Sequence, residues 1–128
     1  MSNPTKTRIT DVGVVGIPVT DQDRALEFYG GTLGFETRMD FPMPGGGRWI
    51  TVAPPGATTM IALVAARESI PAGVETGVRL MTADADADHA YLRANGVDAD
   101  DLLRWPGVPT MFAFRDQDGN GLVIIERG

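Results

Sequence analysis

Hydrophobic positions in this chain fall in short blocks whose period switches between that of a strand and that of a helix. Val12 to Val19 is an apolar run rich in Val and Ile, too short for a helix and suited to a buried strand. Pro18 near its end is tolerated at an edge or a strand terminus. Thr20 or Asp21 then offers a side-chain oxygen to the free N–H groups of a helix. Ala25, Leu26, Phe28 and Tyr29 form one apolar stripe of that helix, and Gly30-Gly31 is expected to end it. Three strands follow, Phe35 to Met39, Trp49 to Ala53 and Thr59 to Val64. They are separated by a Pro/Gly-rich loop from Pro42 to Gly47 and a turn at Pro54-Pro55-Gly56.

The second half repeats the plan. A loop with Ser69, Pro71 and Gly73 leads to a strand from Thr76 to Thr82. Asp84 caps a helix with Ala87, Ala90, Tyr91 and Leu92 inward, stopped at Asn95-Gly96. Strands are expected over Val97 to Leu103, Thr110 to Arg115 and Leu122 to Glu126, with Asp116 to Gly121 as a hairpin turn. Asp21 recurs as Asp84 and Gly34 as Gly96 at a near-constant offset, the mark of an internal repeat. The expected fold is α+β, with two tandem βαβββ modules at about 10–65 and 75–127 and a linker at about 66–74. They form a single domain over 1–128, and their curved mixed sheets are expected to enclose a cup-shaped cavity.

Composition narrows the chemistry. The 128 residues lack cysteine, which excludes disulfides, thiolate ligands and cysteine nucleophiles. His89 is the single histidine and Lys6 the single lysine; Ser2 and Ser69 are the only serines, and neither sits in a nucleophile elbow. Eleven basic against seventeen acidic residues leave a net charge of −6, which argues against a nucleic-acid partner. No segment approaches a membrane span, and Met1 to Thr10 lacks the apolar stretch of a secretory signal. The expectation is a cytoplasmic protein with no membrane partner.

Two stretches carry a family resemblance. Pro18-Val19-Thr20-Asp21-Gln22-Asp23-Arg24-Ala25-Leu26-Glu27-Phe28-Tyr29, followed by Leu33-Gly34-Phe35, resembles the opening module of the vicinal oxygen chelate superfamily. Asp116-Gln117-Asp118-Gly119-Asn120-Gly121 before a last apolar strand is similar to that family's closing turn. The family includes glyoxalase I, methylmalonyl-CoA epimerase, extradiol dioxygenases, fosfomycin-modifying enzymes and bleomycin-resistance proteins, and the resemblance covers about Thr10 to Glu126.

The resemblance implies one divalent metal held by four side chains, one from each of four strands. Carried over position by position, those places are Val14, Met60 or Ala62, Gly77 and Val123. None offers a side-chain group suited to a divalent cation, so no metal and no cofactor is expected. Glu126 is the nearest acid, at the wrong spacing and opposite strand parity. Asp116-x-Asp118-x-Asn120-Gly121 resembles half a calcium loop, but Arg127 stands where the distal Glu belongs, so a hairpin turn is the better reading. Asp84-x-Asp86-x-Asp88 reads as the acidic first turns of a helix, and His89 as an exposed residue of it.

What remains for a ligand is apolar, aromatic and one cation. Alternation from Gly77 puts Arg79 and Met81 on the inner face, making Arg79 the candidate for an anionic ligand group, with pairing to Glu75 or Glu126 as the structural alternative. Trp49, Phe112, Phe114 and Met60 are candidates to line the cavity, or are ordinary core. Trp105 in its loop suits a lid or a subunit contact. The first functional expectation is a metal-free small-molecule-binding protein of the bleomycin-resistance type, a homodimer that sequesters a metabolite or drug. The alternative is a glyoxalase-like lyase, isomerase or dioxygenase with a non-standard or metal-free site using Glu126, Arg79 or a tyrosine. A dimerisation or regulatory module without a ligand is the third.

Overall fold

The computed structural model describes residues 6–128; residues 1–5 of the N-terminal segment, Ser2 among them, lie outside the described residues. The first module runs β1 (Val14–Val19), α1 (Gln22–Leu26), β2 (Glu36–Pro42), β3 (Arg48–Ala53) and β4 (Met60–Ala65). The second runs β5 (Glu75–Thr82), α2 (Ala85–Ala94), β6 (Leu103–Trp105), β7 (Val108–Arg115) and β8 (Gly121–Glu126). Both sheets share one plan: the first strand pairs parallel with the last, and the order is β1-β4-β3-β2 and β5-β8-β7-β6.

The helices begin where the caps predict. Asp21 accepts hydrogen bonds from the Asp23 and Arg24 amides, and Asp84 from the Ala87 amide. The first helix does not stop at Gly30-Gly31. It widens into a π-helical segment, Glu27–Thr32, in which the Leu33 amide donates to the Phe28 carbonyl at 2.9 Å.

Two further expectations are corrected. The sheets are open four-stranded layers, neither closed nor strongly curled, so they do not form a cup-shaped cavity. Four strands are too few to close on themselves, since the small barrels have about eight. The stretch from Val97 to Leu103 is not a strand either. It makes an isolated bridge, Ala99 to Phe114, before the three-residue β6. Its Asp98, Asp100 and Asp101 are poor strand formers, and Arg93 binds the Ala99 carbonyl and the Asp101 carboxylate from the side.

One face of each sheet supplies the core. Ile17, Ile50, Val52, Ile61 and Leu63 of the first module join Phe112, Phe114, Leu122 and Ile124 of the second in a single buried cluster. Phe28 stacks on Phe114 across the modules, with centroids 6.3 Å apart.

The closing turn carries a second role that its composition does not announce. Asn120 is fully buried: its Oδ1 accepts from the Gly73 and Val74 amides, and its Nδ2 donates to the Pro18 carbonyl and to Asp116. Asp116 in turn accepts the Tyr29 hydroxyl at 2.7 Å. Burial, reinforced by the Asp116 charge, pushes the Tyr29 phenol well above its usual pKa, so it stays a donor.

Asp118 completes this clasp by accepting from the Thr20 amide and hydroxyl. Burial raises its pKa, but the Thr20 and Gln117 hydrogen bonds outweigh that and hold the carboxyl below its usual value of 3.8. A depressed carboxyl stabilises the fold above its unfolded pKa, and that contribution is lost as pH falls through the folded value. Asp118→Asn is therefore expected to lower stability by about 1 kcal/mol or less at pH 7, the side chain being partly exposed. In urea melts the gap from the unsubstituted protein should narrow below about pH 3; a gap independent of pH would count against this role.

Candidate functional site

The strand registers decide which side chains share the sheet faces that point away from the core. In the first sheet Val14 stands beside Met60, Gly16 beside Ala62, and Phe41 beside Trp49. In the second, Met81 and Met111 flank Ile125, and Arg79 and Ala113 flank Val123. These faces are mostly apolar and partly open, with Val14, Phe41 and Met81 all exposed.

The four positions at which a metal would be held behave as their residue types dictate. Val14 pairs directly with Met60, and Val123 lies opposite Arg79. Gly77 sits where the β5–β8 register shifts, with φ of +74°. A side chain there would be strained whatever the space around it, so this bulge disfavours any ligating residue at position 77. Among the described residues no group of three or more His, Asp or Glu side chains is placed to hold a metal ion. The residues present do not fit the divalent metal that the family resemblance implies.

The other candidates divide. Phe112 and Phe114 lie in the core, fully buried, because they point to the helix-covered face of β7 rather than away from it. Glu126 accepts the Ala85 amide at 3.0 Å and so helps to cap α2. Trp49 is half-buried beside Phe41, Met60 is half-buried, and Trp105 is 60% exposed at the β6–β7 hairpin. His89 is half-buried, meeting the Asp100 carbonyl and the edge of the Phe112 ring.

Arg79 and Met81 line a cleft of about 790 Å³ that runs between β5 and the loop before β4. Its walls are residues 54–59 and 76–81 with Val15, Ile61 and Arg127. Arg79 donates to the Gly77 carbonyl at 2.8 Å and forms no ion pair with Glu75 or Glu126. Arg127, which in the sequence figures only as the residue in place of a calcium loop's distal Glu, enters the same cleft because its amide is tied to the Thr82 carbonyl at the end of β5. The parallel β5–β8 pairing that brings them together left no local signal in the sequence. A second cleft of about 360 Å³ lies between residues 31–35 and α2, and it shares Pro54, Leu80 and Met81 with the first.

The profile of the Glyoxalase/Bleomycin resistance protein/Dioxygenase superfamily matches residues 11–124. The chain belongs to that superfamily. Among solved members, TnmS3 of Streptomyces sp. CB03234, an antibiotic binding protein, is 36% identical with a TM-score of 0.85, covering 96% of this chain and all of TnmS3. A superfamily member from Sphaerobacter thermophilus DSM 20745 is likewise 36% identical, with a TM-score of 0.86 over 94% of this chain and all of that one. The uncharacterised Bacillus subtilis (strain 168) protein YurT is 32% identical over 89% of this chain and 97% of its own. The vicinal oxygen chelate resemblance is thus shown, and with it a small-molecule-binding role in general. No helix among the described residues is long and apolar enough to cross a membrane.

Proposed function

We propose that this protein binds a small organic molecule without a metal and without converting it, as a homodimer that sequesters its ligand. The observation that carries the reading is that the four places the resemblance assigns to a metal are filled by Val14, Met60 or Ala62, Gly77 and Val123, the third in a backbone conformation that suits glycine. TnmS3, with its antibiotic-binding description, supports a ligand of drug-like character. The β5 cleft, with apolar walls and a few polar groups, is of the size small-molecule sites have, and Arg79, Met81 and Arg127 are its proposed contacts. Trp49, Met60 and Trp105 are proposed to act from the open faces and the hairpin rather than from the cleft itself. The homodimer rests on the exposed apolar side chains of both open faces, which a second copy would cover.

The test is elemental analysis after incubation with zinc, nickel, manganese and iron, with sedimentation of the same sample. The expected result is under about 0.1 metal equivalent per chain with no change in melting temperature, since a specifically bound ion would stabilise the fold. The sedimenting mass should be twice that of the chain. One tightly held ion per chain would overturn the metal-free reading, and a monomer at micromolar concentration the dimer.

A further inference from the structure

We infer that the cleft along β5 is an oxyanion site, in which Arg79 and Arg127 together hold a carboxylate, sulfonate or phosphate group on an otherwise apolar ligand. The inference rests on the small-molecule reading above and adds the ligand's chemical class.

The charge distribution is the first argument. The chain carries a net charge of −6, yet two arginines and no acidic residue line this cleft. Five other arginines are used differently: Arg38, Arg48, Arg93, Arg104 and Arg115 each pair with an Asp or Glu, while Arg8, Arg24 and Arg67 form no ion pair among the described residues and lie outside the cleft. Arg79 and Arg127 pair with none among the described residues.

Donor capacity is the second. A guanidinium carries five N–H donors, and Arg79 commits one nitrogen, to the Gly77 carbonyl. The cleft's Thr59 and Thr76 hydroxyls already donate to the Val12 and Gly121 carbonyls. The Thr58 hydroxyl is the one uncharged side-chain donor left free, so most of the free donor capacity in the cleft belongs to the charged forks, the groups best matched to an oxyanion.

The walls supply the third argument. Val15, Ile61, Leu80 and Met81 border the same space, so a ligand with an apolar body buries it there while its anionic group meets the arginines. Apolar walls also reduce the screening of that charge interaction.

The experiment compares two fluorescent dyes of similar aromatic body. Anilinonaphthalene sulfonate carries an oxyanion and N-phenylnaphthylamine carries none. Both are titrated into the full chain and into the R79Q/R127Q variant, with melting temperatures recorded alongside. The expected result is saturable sulfonate binding that weakens about tenfold or more in the variant, as loss of charge-assisted hydrogen bonds requires. Binding of the neutral dye should change by less than about twofold, and R79K/R127K should recover part of the sulfonate affinity. Sulfonate binding equal in the variant and the unsubstituted protein would overturn the inference and leave the small-molecule reading standing. Equal weakening of both dyes would overturn it too, by pointing to a general distortion of the cleft. If neither dye binds the unsubstituted protein, the small-molecule reading falls and this inference with it.

Discussion

Replacing Asn120 with alanine is expected to cost about 3–5 kcal/mol of folding stability, because four hydrogen bonds of a fully buried side chain are lost at once. The Pro18 carbonyl and Asp116 are then left in places that water reaches poorly. The Pro18 carbonyl closes β1, the Gly73 and Val74 amides lead into β5, and Asp116 anchors Tyr29. The substitution therefore loosens the first module, the segment between modules and the last hairpin together. Urea unfolding followed by circular dichroism measures it. Asn120→Asp separates the hydrogen-bond loss from a simple volume change: it nearly keeps the shape but sets a second carboxylate against Asp116. That variant should be as unstable as the alanine one at pH 7 and should recover part of the loss below about pH 4, once one carboxyl is protonated. A loss under about 1 kcal/mol for Asn120→Ala would mean that the clasp is incidental.

Phe114→Ala should be nearly as damaging, at about 3–5 kcal/mol. The ring is fully buried, stacks on Phe28 of the first module and belongs to the shared core. The sequence leaves Phe114 open as a cavity-lining ligand contact or as ordinary core. With Phe114 as a ligand contact, the variant would keep its melting temperature and bind ligand less well. From its position in the core, the melting temperature falls first and binding is lost only with the fold. Differential scanning calorimetry with dye titration on the same variant distinguishes the two, and an unchanged melting temperature would return Phe114 to the candidate ligand contacts.

The site was less legible than the fold because its residues are joined by register, not by spacing. Arg79 was found by alternation along one strand, a short-range rule that survives the bulge at Gly77. Arg127 could not be found that way. It reaches the cleft only because β8 runs parallel to β5, and nothing around position 127 encodes which strand it will lie beside. The same blindness to side left Phe112 and Phe114 open between cavity lining and core, and the structure places both in the core. Alternation shows that Phe112 and Phe114 share a face and Met111 and Ala113 the other, but not which face the helix covers.

Local chemistry was decided by the sequence alone. The caps at Asp21 and Asp84, the repeated βαβββ order and the lack of suitable metal ligands at Val14, Met60 or Ala62, Gly77 and Val123 depend on residue type and near neighbours, and all can be read in one dimension. Tertiary structure decided what depends on distant partners. It opened the sheets rather than curling them into a cup, because four strands cannot close and each sheet has only one face committed to the shared core. It carried the first helix past Gly30-Gly31 as a π-helical turn, and it left Val97 to Leu103 without a full strand partner. It gave the Asp116 to Gly121 hairpin turn a second role, as the clasp that ties it to Pro18 and Thr20. Sequence neighbours fix which conformations are cheap; which side chains meet across the chain is settled only when the shared core and its buried polar groups are satisfied together.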